Sequence, residues 1–212
     1  EFVQFYDDAF GINKLKIQEL CKEIRNKCDG IMWGAFVRAD TLDKETLNIM
    51  RDSGCVSLGV GVESGSTNIL KRIRKGYSRE QALSGIEMIK KSGISVTMNI
   101  MIGFPFETSK DIRESISLIK KLRIMTNVNT FTPYPQTELY DECVRRGLIK
   151  GSLDWATISQ HSLANEFIDE ISHQEYRELL NEMLDVADGI NRRCVTTTYK
   201  YVSYLRRLYA EN

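Results

Sequence analysis

The sequence predicts an α/β fold of parallel strands with helical crossovers, curled into a partial (βα) barrel. Three observations carry this. Strand-like and helix-like segments alternate through five units between Phe2 and Gly147. Each strand has one apolar face and one face of small or polar residues, which suits a barrel interior better than an open sheet, greasy on both sides. The strands close on Gly, Pro or acidic residues at their carboxyl ends, where parallel α/β folds bind ligands. Five units fall short of the eight of a full barrel.

Taken in order, FVQFY at 2–6 reads as a strand running into Asp7 and Asp8. Asn13 caps a helix with an Ile17, Leu20, Cys21, Ile24 and Cys28 stripe, stopped by Asp29-Gly30. A second strand, 31–37, turns Ile31, Trp33, Ala35 and Val37 to its apolar face and Met32, Gly34 and Phe36 to the other, which Arg38 shares. Asp43 caps a short helix with Leu47 and Met50 inward, and Gly54 stops it. The third strand, 56–62, sets Val56, Leu58, Val60 and Val62 outward. Ser57, Gly59 and Gly61 share the opposite face with Glu63. Glycine weakens a strand, so these small residues predict a hollow with a charge at its mouth.

A helix with Ile69, Leu70 and Ile73 then ends at Gly76. Ser78 and Gln81 form a capping box for the next, in which Ala82, Leu83, Ile86 and Ile89 face inward until Gly93. VTMNIMIGFPFET follows at 96–108, with Val96, Met98, Ile100 and Ile102 on one face and Thr97, Asn99 and Met101 on the other. Pro105 ends that strand, and Thr108 or Ser109 caps a helix carrying Asp111, Ile112, Ile116 and Ile119. A fifth strand, 128–132, runs into Pro133-Tyr134-Pro135, and a helix with Leu139 and Cys143 ends at Gly147. Residues 151–171 show no period and read as a covering segment. Ser172 and Glu175 predict a capping box for a long helix with Leu179, Leu180, Met183, Val186 and Ile190. The tail is basic and aromatic and reads as a solvated amphipathic helix. The division is a barrel at 1–150 and a covering segment with helices at 151–212.

Charges balance at 29 against 29, so no field draws the chain to nucleic acid or an anionic membrane. No apolar run approaches the ~20 residues of a spanning helix. Five irregularly spaced cysteines read as reduced thiols, and the expected location is cytoplasmic. Opening on Glu1 and reaching strand-like sequence by Phe2, the chain reads as a piece of a longer protein.

Five stretches close predicted strands: FYDDAF at 5–10, Arg38-Ala39-Asp40, GVESGS at 61–66, IGFPFET at 102–108 and TPYPQTEL at 132–139. In that order they resemble the radical S-adenosylmethionine (SAM) enzymes, in the branch with cobalamin-binding and methylthiotransferase members. The resemblance implies a partial (βα)6 barrel, here truncated at its N-terminus. It implies SAM and a [4Fe-4S] cluster as cofactors, with cobalamin in some members, and a reductant for the cluster. The implied activity is reductive cleavage of SAM to a 5′-deoxyadenosyl radical for methyl transfer, methylthiolation or oxidative cyclisation of a small-molecule or macromolecular substrate. The protein's share is to orient and shield that chemistry.

The family holds its cluster with three cysteines in CxxxCxxC, leaving one iron open. Cys21, Cys28, Cys55, Cys143 and Cys194 have no such spacing, so no residue is assigned to a metal and the cluster loop is expected upstream of Glu1. Phe106 and Gln136 stand where the family usually has Gly and are expected to crowd the adenosine. One rival reading is a non-catalytic nucleotide- or partner-binding barrel that has lost its cluster. Another is an unrelated eight-unit barrel doing acid–base chemistry with Glu63 and Asp8.

By resemblance, Asp7 or Asp8 meets the SAM amino group; the plain alternative is a capping pair. Glu63 is expected at the ribose hydroxyls, from both of which a carboxylate can accept. Arg38 is expected to pair with Glu63, with the SAM carboxylate as its other choice. Asn99 bonds either ligand or a neighbouring strand. Gly103, Phe104 and Pro105 are expected to form a backbone shelf for adenine, with Thr132 and Tyr134 beside it. His161 and His173 read as surface or helix-end residues, and Trp155 as a core plug.

Overall fold

The computed structural model describes residues 1–7, 10–28 and 30–210. Strands β1 (Phe2–Phe5), β2 (Met32–Val37), β3 (Cys55–Glu63), β4 (Ser95–Ile102) and β5 (Met125–Thr130) form one sheet in that spatial order, every pair parallel. An unbroken order is that of a barrel wall, since a doubly wound sheet reverses partway. The crossovers are α1 (Lys14–Lys27), α2 (Lys44–Asp52), α3 (Thr67–Arg72) with α4 (Arg79–Ser92), and α5 (Ser109–Leu122). After β5 come α6 (Glu138–Arg145) and α7 (His173–Ala210). The result is a curled half-barrel, as the alternation predicts.

Trp33, Ala35, Leu58, Val60, Met98 and Ile100 are buried on the outer face, in one core with Ile17 and Cys21 of α1, Leu47 of α2, Ile86 of α4 and Ile116 of α5. The helix starts follow the caps read from sequence. Asn13 and Asp43 accept from Lys16 N and Thr46 N, and the boxes at Ser78/Gln81 and Thr108/Asp111 close both ways. The Ser172/Glu175 box closes only halfway: Ser172 accepts from Glu175 N, but the Glu175 carboxylate takes the Ser109 hydroxyl of α5 at 2.6 Å instead. A tertiary partner thus displaces the local one.

Two bulges in β3 were not legible. Trp33 pairs with Cys55 and Gly34 with Ser57, so Val56 is the extra residue; it is 39% exposed rather than packed outward. Gly61 pairs with Asn99 and Glu63 with Ile100, so Val62 is the second. The fifth strand starts at Met125, three residues before the expected 128. There Asn191 of α7 binds Thr126 through both backbone groups, N to Oδ1 and Nδ2 to O, each at 2.8 Å. This docks a helix of 38 residues, roughly 57 Å at about 1.5 Å per residue. The tail side chains beyond Cys194 lie outside the described residues.

A second apolar cluster joins Ile69 of α3, Phe104, Phe106, Phe131, Cys143, Ile149 and Phe167. The covering segment adds polar ties: the Thr130 hydroxyl donates to Ser162 O at 2.9 Å, and Asn165 Nδ2 donates to Thr132 Oγ1 at 3.0 Å. His161 is exposed, and His173 pairs with Glu166 at the start of α7. No helix among the described residues is long and apolar enough to cross a membrane.

Candidate functional site

The concave face of β3 is lined as expected by Ser57, Gly59, Gly61 and Glu63, but the glycines do not leave empty space. A Cβ on Gly59 would lie 2.4 Å from the Phe36 ring. A Cβ on Gly61 would lie 2.5 Å from Glu63 Oε1 and 3.2 Å from Lys75 Nζ. Glycine here admits an aromatic ring and an ion pair across the sheet face.

Glu63 adopts a φ of 67°, a left-handed conformation that a non-glycine residue holds only under constraint. Its carboxylate pairs with Lys75 Nζ at 2.7 Å, and both side chains are about four-fifths buried, at 22% and 19% exposure. The expected Arg38–Glu63 pair is therefore corrected. Arg38 grips Asp40 with two bonds, 3.1 and 3.0 Å, and lies 5.1 Å over the Tyr77 ring. A partner two residues away in the same turn outcompetes one on the next strand. Tyr77 donates its hydroxyl to Gly61 O, and burial, with the Glu63 charge second, holds that phenol well above its usual range. Lys75 is the residue sequence reasoning missed. It lies beyond α3, where strand-face logic does not reach, and it ends a run with Lys71, Arg72 and Arg74 that gives no sign of which cation turns inward.

Two loops frame this corner. In the first, Gly65 N donates to Ser115 Oγ at 2.8 Å, and Ser66 Oγ donates to the Asp111 carboxylate. Asp111 also takes the Thr108 hydroxyl at 2.6 Å, so it ties both loops to the start of α5. Burial pushes Asp111 up, but these hydroxyls outweigh it and hold the carboxyl below its usual range.

In the second loop, Gly103 (φ 93°) and Phe104 donate their N–H groups to Glu107 Oε2 at 2.7 and 3.3 Å. Glu107 is fully buried, and its Oε1 has no hydrogen-bond partner among the described residues. Burial pushes its pKa up to about 8, against the downward pull of the two amides. The carbonyls expected to shelve an adenine are partly spent: Phe104 O accepts from Glu107 N at 2.9 Å and Pro105 O from Arg146 at 3.1 Å. Phe104 and Pro105 are buried. Phe106 does not crowd outward; it is 4% exposed, stacks on Phe104 and lies 3.6 Å under the Arg72 guanidinium. Gln136 is exposed at φ 68°, a conformation Gly takes without steric cost.

Of the remaining expected residues, Asn99 accepts from Asn127 Nδ2 at 3.0 Å across β4 and β5. Thr132 is buried beneath Asn165, and Tyr134 stands exposed past the end of β5. Asp7 is exposed, and Asp8 lies outside the described residues. Trp155 is not a core plug: it is 46% exposed and stacks on Tyr134 at 6.2 Å. Among the described residues no group of three or more His, Cys, Asp or Glu is placed to hold a metal. Burial pushes the Cys55 and Cys143 thiols up to about 12 and 11, which disfavours the thiolate a metal needs.

The sequence profile of the Radical SAM superfamily matches residues 7–119. An uncharacterised methyltransferase of Pyrococcus horikoshii is 30% identical over 72% of this chain and 33% of its own length. A tRNA-2-methylthio-N(6)-dimethylallyladenosine synthase of a Sulfurihydrogenibium species is 30% identical over 66% of this chain and 33% of its own. The radical SAM methyltransferase TsrM of Kitasatospora setae, solved with cobalamin and a [4Fe-4S] cluster bound, shares the fold with a TM-score of 0.59. That match has 17% identity and covers 68% of this chain and 30% of the other. The chain spans about a third of the length of the relatives it matches. With the profile covering just over half of the chain, and the chain folded as a five-stranded parallel half-barrel, it belongs to the radical SAM superfamily.

Proposed function

We propose that the concave face of this half-barrel binds SAM, within a parent enzyme that cleaves SAM reductively for methyl transfer, methylthiolation or oxidative cyclisation. The observation that carries this is the Glu63–Lys75 pair over Gly61, at the carboxyl end of β3. The Glu63 carboxylate accepts from the two ribose hydroxyls, and the Lys75 ammonium turns its remaining protons to the ligand carboxylate. Tyr77 fixes the Gly61 peptide beneath them. The described residues do not fit a [4Fe-4S] cluster, since no thiolate set converges. A cluster in the parent takes its ligands from outside them. The methyltransferase and methylthiolation names among relatives support those reaction classes, and the cobalamin of TsrM supports cobalamin as a further cofactor.

Calorimetry with SAM tests the pocket. Lys75→Met and Glu63→Ala are each expected to weaken binding about tenfold, the value of one charge-assisted hydrogen bond. Unchanged affinity in both variants, with unfolding curves also unchanged, would contradict the reading.

A further inference from the structure

On the outer surface α1 packs on α2, α2 on α4 and α5 on α7, but α4 and α5 stand apart over a cleft of about 570 Å³. Buried Leu118 and half-buried Leu83 give the cleft an apolar floor. Arg79, Lys110, Arg113 and Lys121 line it against a single carboxylate, Glu114. Among the described residues Lys110 and Lys121 form no ion pair, and Arg113 pairs only with Glu182, at 3.8 Å. From Lys110 to Lys121 the helix rises roughly 17 Å at about 1.5 Å per residue, or about three turns. A cleft of that length, apolar along its floor and cationic at its rim, has the form of a groove that takes a helix.

We propose that the α4–α5 cleft docks an acidic amphipathic helix of a second protein. The apolar stripe of that helix lies on Leu83 and Leu118, and carboxylates on its flanks meet Arg79, Lys110 and Lys121. Four cations against one carboxylate call for an anionic partner, and the two unpaired lysines supply their charge without first breaking a bond. A nucleic acid fits less well, because the apolar floor offers its phosphates nothing and Glu114 repels them. A second copy of the chain also fits less well. The outward face of α7 is acidic, with Glu178, Asp185 and Asp188, but carries no exposed large apolar residue among the described ones. The cleft shares no residue with the Glu63–Lys75 corner, so docking and SAM binding are separate properties.

The test is fluorescence anisotropy of a labelled helical peptide added to the chain, with leucines along one face and glutamates on its flanks. The peptide is expected to bind saturably, and more weakly as salt rises. Reversing both lysines, Lys110→Glu with Lys121→Glu, is expected to weaken it about tenfold. Leu83→Ala is expected to weaken it less. Both lysines are exposed, so the charge-reversed chain is expected to unfold and to bind SAM as the wild type does. A peptide of the same composition with its leucines spread around the helix is expected to bind more weakly. No saturable binding, equal binding of the spread peptide, equal binding by the charge-reversed chain, or tighter binding of a single-stranded oligoribonucleotide would each overturn the proposal. So would sedimentation in which the chain self-associates and the charge reversal abolishes it, since the occupant is then a second copy.

Discussion

Glu107→Ala is expected to destabilise the chain by about 3–5 kcal/mol, whereas Glu107→Gln costs less than half of that. The alanine leaves the Gly103 and Phe104 amides without an acceptor in a fully buried site, and a cavity beside Tyr176. Glutamine keeps one oxygen for the amides. The same residue sets a pH dependence. Burial raises Glu107 from 4.5 to about 8, so between those values the folded chain holds a proton that the unfolded chain has lost. Its contribution is therefore fully present below about pH 4.5 and is lost as pH rises through about 8. Urea unfolding of the wild type and the Gln variant across that window is the check, and the difference between them should shrink or reverse as pH rises.

Gly65→Ala is expected to cost about 2–3 kcal/mol, while the same change at Gly189 stabilises by up to about 1 kcal/mol. A Cβ on Gly65 would sit 2.5 Å from Glu114 O and 2.6 Å from Ser115 Cα, both backbone of α5, so no side chain can yield. Gly189 lies within α7 with nothing within 4 Å, so alanine there only gains helix propensity. Thermal denaturation of the two variants should move in opposite directions. Because Gly65 follows Glu63 by two residues, the first variant should also weaken SAM binding.

The parts of the fold that obey a local period were legible. The alternating faces of β2, β3 and β4 follow from spacing, and the caps at Asn13, Asp43, Ser78 and Thr108 from residue type. What failed depended on a neighbour that sequence does not display. The Val56 and Val62 bulges are set by register against β2 and β4. Glu175 left its capping box for Ser109. Arg38 chose Asp40, and Lys75 reached Glu63 from beyond α3. Phe106 turned inward because Phe104 and Arg72 offered it two apolar and cationic faces. Glu63, Asn99 and Tyr134 were visible as candidates; their partners were not.

Amide chemical shifts of the isotopically labelled chain, followed as S-adenosylhomocysteine is added, probe the central claim most directly. The largest changes should fall at Gly61, Glu63, Lys75 and Gly103, on the mouth of the half-barrel, while the amides of α2 and α4 hold still. Changes gathered instead in the outer cleft of Arg79, Lys110 and Lys121, or none at saturation, would place the nucleoside elsewhere and contradict the assignment.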